Sequence, residues 1–288
     1  MKIQSLSVVV PAKKCVNDCK FCVSKMHKSE YENMISDKNL YYDLYKSDFI
    51  NRLSFARDNG CNTVMLTGDC EPLQSRSFLA KFGDFNQTLP NPFKIIEIQT
   101  AGNLITDDYL YFLRHHVGVT TISLSVSDIW NYENNADIIG CEFFNLEVLC
   151  GLIKKYRFNL RLSLNMTSII VHGHTMGEIF GMCQTLGADQ VTFRKMYHTA
   201  LETPEDIWIK EHAVSKAFWK NLLGFVKNHG KEIDKLEYGR VKYDCNGMGI
   251  VIDDDCMSQE GGDVAKYLIL RPDCKLYSKW ETKASLIF

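Results

Sequence analysis

Nowhere in its 288 residues does the chain carry an apolar run approaching about 18 residues, the length a bilayer span needs. The apolar stretch within Met1–Lys14 is too short for a secretion signal. The sequence also lacks a strong charge of either sign. Its 33 basic and 35 acidic residues leave a formal net charge of −2. The basic excess that tracks nucleic-acid phosphates is therefore missing, and nucleic acid is not an expected partner. Internal repeats, low-complexity tracts and flexible linkers are absent as well, which excludes solenoids and strings of tethered domains. What is left is an ordinary globular composition. It predicts a cytoplasmic protein with no membrane partner, built as one large α/β domain with a short appendage.

Cysteine is not scarce. There are eleven, an odd number. Thiols of a chain that stays in the cytoplasm remain reduced, so clustered ones point to metal binding or catalysis rather than to a disulfide framework. One cluster stands out, in the run Lys14-Cys15-Val16-Asn17-Asp18-Cys19-Lys20-Phe21-Cys22, which reads C-x3-C-x2-C. Three thiolates on so short a loop can wrap one face of an iron–sulfur cubane and leave one iron open to another ligand. A structural zinc site is the rival reading, and it needs a fourth ligand such as Cys245, Cys256 or a histidine.

Apolar runs suited to strands covered on both faces recur along the chain at Ser5–Pro11, Asn62–Thr67, Lys94–Thr100, Thr120–Ser127, Asn159–Ile170 and Gln190–Lys195. Helix signals fall between them. Thr175 with Glu178 forms a capping box, and Gly187 stands where that helix would stop. Ser47 can cap a helix ending before Gly60, and Thr106 or Asp107 one ending before Gly118. Thr203-Pro204 opens another helix. Strands separated by helices imply βαβ units and a parallel sheet. Six units fit an incomplete (β/α)6 barrel over residues 1–200, and a doubly wound open sheet is the competing arrangement. Over residues 201–288 the pattern changes. A helix near Ala213–Asn228 is followed by short strands at Tyr238–Tyr243, Gly249–Ile252 and Lys266–Arg271, and by a turn at Pro272-Asp273. This α+β extension is expected to pack on the barrel.

A second motif, Leu66-Thr67-Gly68-Asp69-Cys70-Glu71-Pro72-Leu73, follows the second strand. Alone it reads as an ordinary strand-to-helix loop. With the cysteine triplet it resembles the radical S-adenosylmethionine (SAM) superfamily, whose signatures are C-x3-C-x-aromatic-C, with Phe21 in the aromatic place, and Gly-Gly-Glu-Pro. Asp69 and Cys70 occupy the stretch where that family usually carries its second glycine. The resemblance covers Ser5 to Tyr197. It implies a partial TIM-like barrel and a [4Fe–4S] cluster on Cys15, Cys19 and Cys22. SAM is expected to be held by Phe21, Thr67, Gly68, Asp69 and Glu71 near the cluster. Farther round the barrel, Thr100, Ser125, Ser127, Asn165 and Arg194 would hold it at successive strand ends, where such barrels place chemistry. The implied reaction is reductive cleavage of SAM to a 5′-deoxyadenosyl radical that abstracts hydrogen from a substrate. Flavodoxin or ferredoxin is the expected electron donor.

Other residues are weighed against plainer roles. Cys70 reads as a small structural residue. Cys61, Cys141, Cys150 and Cys183 read as small packing groups. His172 and His174 suit substrate contact better than metal. Cys245, Cys256 and Cys274 are too widely spaced for a second cluster. Asp253-Asp254-Asp255 reads as a solvated turn. A small molecule or nucleotide is the favoured substrate. The alternatives are a peptide-modifying maturase, a non-catalytic zinc or iron–sulfur module, and a member that has lost turnover.

Overall fold

The computed structural model describes residues 2–28, 42–235, 241–254 and 264–288. Six strands run β1 Lys2–Val9, β2 Thr63–Thr67, β3 Ile95–Thr100, β4 Thr121–Val126, β5 Asn159–Met166 and β6 Gln190–Lys195. Each pairs in parallel with the next, and helices connect them. The expected α/β architecture is present, and the sheet is not closed.

The extension joins that same sheet. Its strands are β7 Lys231–Lys235, β8 Val241–Cys245, β9 Met248–Asp253, β10 Val264–Leu270 and β11 Leu276–Tyr277. The hydrogen-bonded order of the 11-stranded sheet is β11-β10-β1-β2-β3-β4-β5-β6-β9-β8-β7. β9 lies parallel to β6, and β10 lies parallel to β1, so the C-terminal quarter lengthens the sheet at both ends. β7 was not visible in the sequence because Lys-Glu-Ile-Asp-Lys is exposed throughout and carries no apolar alternation. Residues 238–240 of the expected Tyr238–Tyr243 strand lie outside the described residues.

The two faces of the sheet differ in chemistry. On one, Leu6, Leu66, Ile98, Leu124, Leu162 and Phe193 pack against helix residues such as Phe49, Phe82, Leu149 and Ile179 in one apolar core. The alternate positions are polar. Ser7, Glu97, Ser123 and Ser163 sit there and are buried as well. A sheet that curls round its polar face can bury it. Two contacts span this interior. Arg161 on β5 pairs with Glu97 on β3 and donates from Nε to Gln190 Oε1 on β6 at 3.0 Å. Lys266 on β10 reaches Asp253 on β9 at 3.6 Å, although six strands separate the two in the sheet.

Local signals held in most places. Thr175 and Glu178 form a capping box, as do Thr203 and Asp206. Thr106 caps its helix by accepting from the Tyr109 N–H. Ser47 does not cap: it lies inside helix Lys46–Asp58, whose cap position is Tyr45. The fifth strand stops at Met166, because Ser168–Val171 turns into a short helix. Among the described residues no helix is long and apolar enough to cross a membrane.

Candidate active site

The cysteine loop follows β1 at the C-terminal end of the sheet. Helix Tyr132–Ile139 braces it from below. Asp18 N–H donates to the carbonyls of Ile139 and Gly140, both at 3.1 Å, and Lys20 N–H donates to Ile138 at 3.0 Å. The approach is so close that a Cβ at Gly140, where φ is +67°, would stand 2.7 Å from the Asp18 carbonyl oxygen. Asn17 and Asn103 exchange amide hydrogen bonds and tie the loop to the end of β3. Lys25 pairs with Asp18 and donates to the Cys19 carbonyl at 3.1 Å. Phe21 packs on Trp208 of helix Pro204–His212, with ring centroids 6.2 Å apart.

Cys15, Cys19 and Cys22 are half-buried on this loop, whereas Cys61, Cys150, Cys183, Cys245 and Cys274 are buried in the core. The three loop thiols differ. A hydrogen bond from the Cys70 side chain, with others from the Asn17 and Glu71 N–H groups, lowers Cys15 to about 6. Burial raises Cys19, helped by repulsion from Cys22 and Cys15. Burial also raises Cys22. Mutual repulsion means the triplet can carry three thiolates only around a positive centre, so the donor set fits an iron–sulfur cluster. Among the described residues, no three His, Cys, Asp or Glu side chains converge as ligands of one ion. Cys245 is on β8, seven places from β1 in the sheet order, and Cys274 is buried in the apolar core. Cys256 and Asp255 lie outside the described residues.

The second motif begins where β2 ends. Val10 N–H donates to the Thr67 carbonyl at 2.6 Å, and a Cβ on Gly68 would stand 2.9 Å from the Val10 carbonyl oxygen. Glycine is therefore needed for contact between the two loops. Glu71 is 4% exposed. Its carboxylate accepts from Thr100 Oγ1 at 2.6 Å, Ala101 N–H at 2.9 Å and Leu73 N–H at 3.2 Å. Burial nevertheless raises its pKa to about 7, against these hydrogen bonds. Glu71 N–H donates to Cys15 Sγ at 3.2 Å. Glu71 and Thr100 thus lock the second motif to β3 and to the cysteine loop. Asp69 points to the extension, where Arg271 Nη1 lies 3.4 Å from its carboxylate.

Round the sheet, Asn165 Nδ2 on β5 donates to Ser125 Oγ at 3.0 Å and to Ser127 Oγ at 3.1 Å, bringing three predicted residues together. Arg194 stands beside Asn165 in the β5–β6 register. Its Nε is buried and has no hydrogen-bond partner among the described residues. His172 is exposed, and His174 stacks on Trp130 with centroids 3.8 Å apart. Three neighbours of the site were not predicted for it. Cys70 lies against Cys15, Arg271 meets Asp69, and Trp208 covers Phe21. The proximity of Cys70 to Glu71 was the sequence signal for the first, and the sequence carries none for the other two.

Polar residues at the ends of parallel strands beside a cysteine-bearing first loop define a class of α/β barrel fold. No family model and no curated protein matches the sequence. Solved structures do. SuiB of Streptococcus suis with S-adenosylmethionine bound superposes with a TM-score of 0.59 at 13% identity, over 96% of this chain and 60% of SuiB. anSMEcpe with bound AdoMet and Kp18Cys peptide gives 0.59 at 15% identity, over 96% of this chain and 74% of that one. Coproporphyrinogen III oxidase (HemN) of Escherichia coli, a radical SAM enzyme, gives 0.54 at 14% identity, over 81% and 55%. The chain has the fold of the radical SAM enzymes, and spans about 60% of the length of SuiB.

Proposed function

We propose that this chain is a radical SAM enzyme. The observation that carries the proposal is the grouping of Cys15, Cys19 and Cys22 on one half-buried loop at the strand ends, with Cys70 beside Cys15 and five other cysteines buried in the core. Three protein thiolates and an iron without a protein ligand suit a [4Fe–4S] cluster that binds SAM directly. When bound, the two groups together supply one-electron cleavage of a sulfonium carbon–sulfur bond, giving methionine and a 5′-deoxyadenosyl radical that takes hydrogen from the substrate.

The residues divide the remaining work. Cys15, Cys19 and Cys22 hold the irons. The Asn17 and Glu71 N–H groups steady the Cys15 sulfur and stabilise negative charge on it. Phe21 and Trp208 keep water from the loop. Thr67 and Gly68 present backbone groups to the amino end of SAM. The Ser125–Ser127–Asn165 cluster offers hydroxyl and amide groups to the ribose, and Arg194 offers its guanidinium to a carboxylate. Asp69, Glu71 and Thr100 have their side chains engaged within the protein, so they act by shaping the loop. Flavodoxin or ferredoxin would deliver the electron.

The buried polar positions on the inner face of the sheet favour a polar small molecule or nucleotide as substrate. A second reading, modification of a peptide, is supported by the superposition on peptide-bound anSMEcpe, which covers 96% of this chain. The test is anaerobic reconstitution with iron and sulfide, followed by dithionite and SAM. Formation of 5′-deoxyadenosine with methionine supports the proposal. Bound zinc with no iron uptake and no product would favour the structural-module alternative.

A further inference from the structure

We infer that Arg271 is a positioning residue for the SAM end of the site, acting through Asp69; this rests on the function proposed above. Arg271 is 1% exposed and lies just beyond β10, the strand that the extension adds beside β1. Its Nη1 meets the Asp69 carboxylate at 3.4 Å, and its Nη2 donates to the Trp280 carbonyl at 2.9 Å. The guanidinium also lies 5.3 Å from the Trp280 ring centroid and 5.7 Å from that of Tyr277. The charge is therefore held on several sides, and its direction is fixed by the C-terminal hairpin. A buried guanidinium needs an anion, and this one, tied to the Trp280 carbonyl through Nη2, offers Nη1 to Asp69 from a fixed direction.

The anion it takes is one of the two residues that depart from the family pattern. Asp69 and Cys70 occupy the stretch where the second glycine is expected, between Gly68, packed under Val10, and Glu71, whose N–H reaches Cys15 Sγ at 3.2 Å. A loop with a side chain in place of glycine has to send that side chain somewhere. Here it is drawn to Arg271, and Gly68 and Glu71 on either side face Val10 and Cys15. The extension thus sets the shape of the segment that would meet the amino end of SAM.

The test uses the full chain, reconstituted anaerobically, as parent, Asp69→Asn, Arg271→Gln and the double variant. SAM is titrated into each dithionite-reduced sample while the low-temperature paramagnetic spectrum of the cluster is followed. Iron content and melting temperature are measured alongside. Each single variant is expected to keep its iron and to need about tenfold more SAM for the spectral change, the order of one charged hydrogen bond. The double variant is expected to be no worse than either, because both changes break one link. Single variants that respond like the parent, or losses that multiply in the double variant, would overturn the inference and leave the proposed function standing. A parent that takes up iron without responding to SAM would overturn both. If Arg271→Gln does not fold, the near-isosteric Asp69→Asn decides alone, and an unchanged response contradicts the inference.

Discussion

Cys15 and Cys183 carry the same side chain in two regions of the molecule. Cys183 is buried at 0% exposure between helix and sheet, where desolvation pushes its thiol up to about 12. It behaves there as a small apolar group. Cys15 lies at the strand ends among hydrogen-bond donors that bring it down to about 6. The helix-covered face of the sheet supplies stability, and the proposed chemistry falls at the strand ends. The same division explains why alternate residues of one strand, such as Leu164 and Asn165, belong to different tasks.

That division can be broken by exchanging damage between the regions. Cys15→Ala should abolish bound iron and all 5′-deoxyadenosine while leaving the circular dichroism unchanged. Cys70→Ser, beside it, should keep its iron; loss of iron there would make Cys70 a ligand. On the other side, Leu162→Ala removes a fully buried side chain and should cost about 2–5 kcal/mol in denaturant unfolding of the cluster-free chain. The effect of Asn165→Ala is smaller and confined to the mouth. It frees Ser125 and Ser127 from their shared donor and should weaken SAM binding about tenfold, with little change in melting. The smallest effect belongs to Cys183→Ala, about 1 kcal/mol of stability, with iron content and SAM response untouched. A Cys183→Ala chain that lost its cluster would erase the comparison.

What could be read from the sequence follows the range of the interactions. β1 to β6 are apolar on their helix-covered face and bounded by caps and glycines, so local pattern located them to within a few residues. The cysteine triplet is wholly local, and spacing alone carried it. Ser125, Ser127 and Asn165 come together because strand ends gather at one rim of a parallel sheet, a rule of topology rather than of sequence. Arg271 and Asp69 lie 202 residues apart, and neither has a local signal that names the other. β9 and β10 were read as strands, but their places beside β6 and β1 depend on long-range pairing that no local pattern encodes. The contact of Cys70 with Cys15 could not be read locally, because Cys15 is brought up from another loop.

The central claim is that the protein supplies three thiolates and leaves one iron for SAM. Mössbauer spectroscopy of the iron-57-reconstituted chain, with and without SAM, tests it most directly. The account predicts about four irons per chain and a distinct signal from one of them that shifts when SAM is added. Four equivalent, SAM-insensitive irons, or a chain that takes up zinc in place of iron, would contradict it.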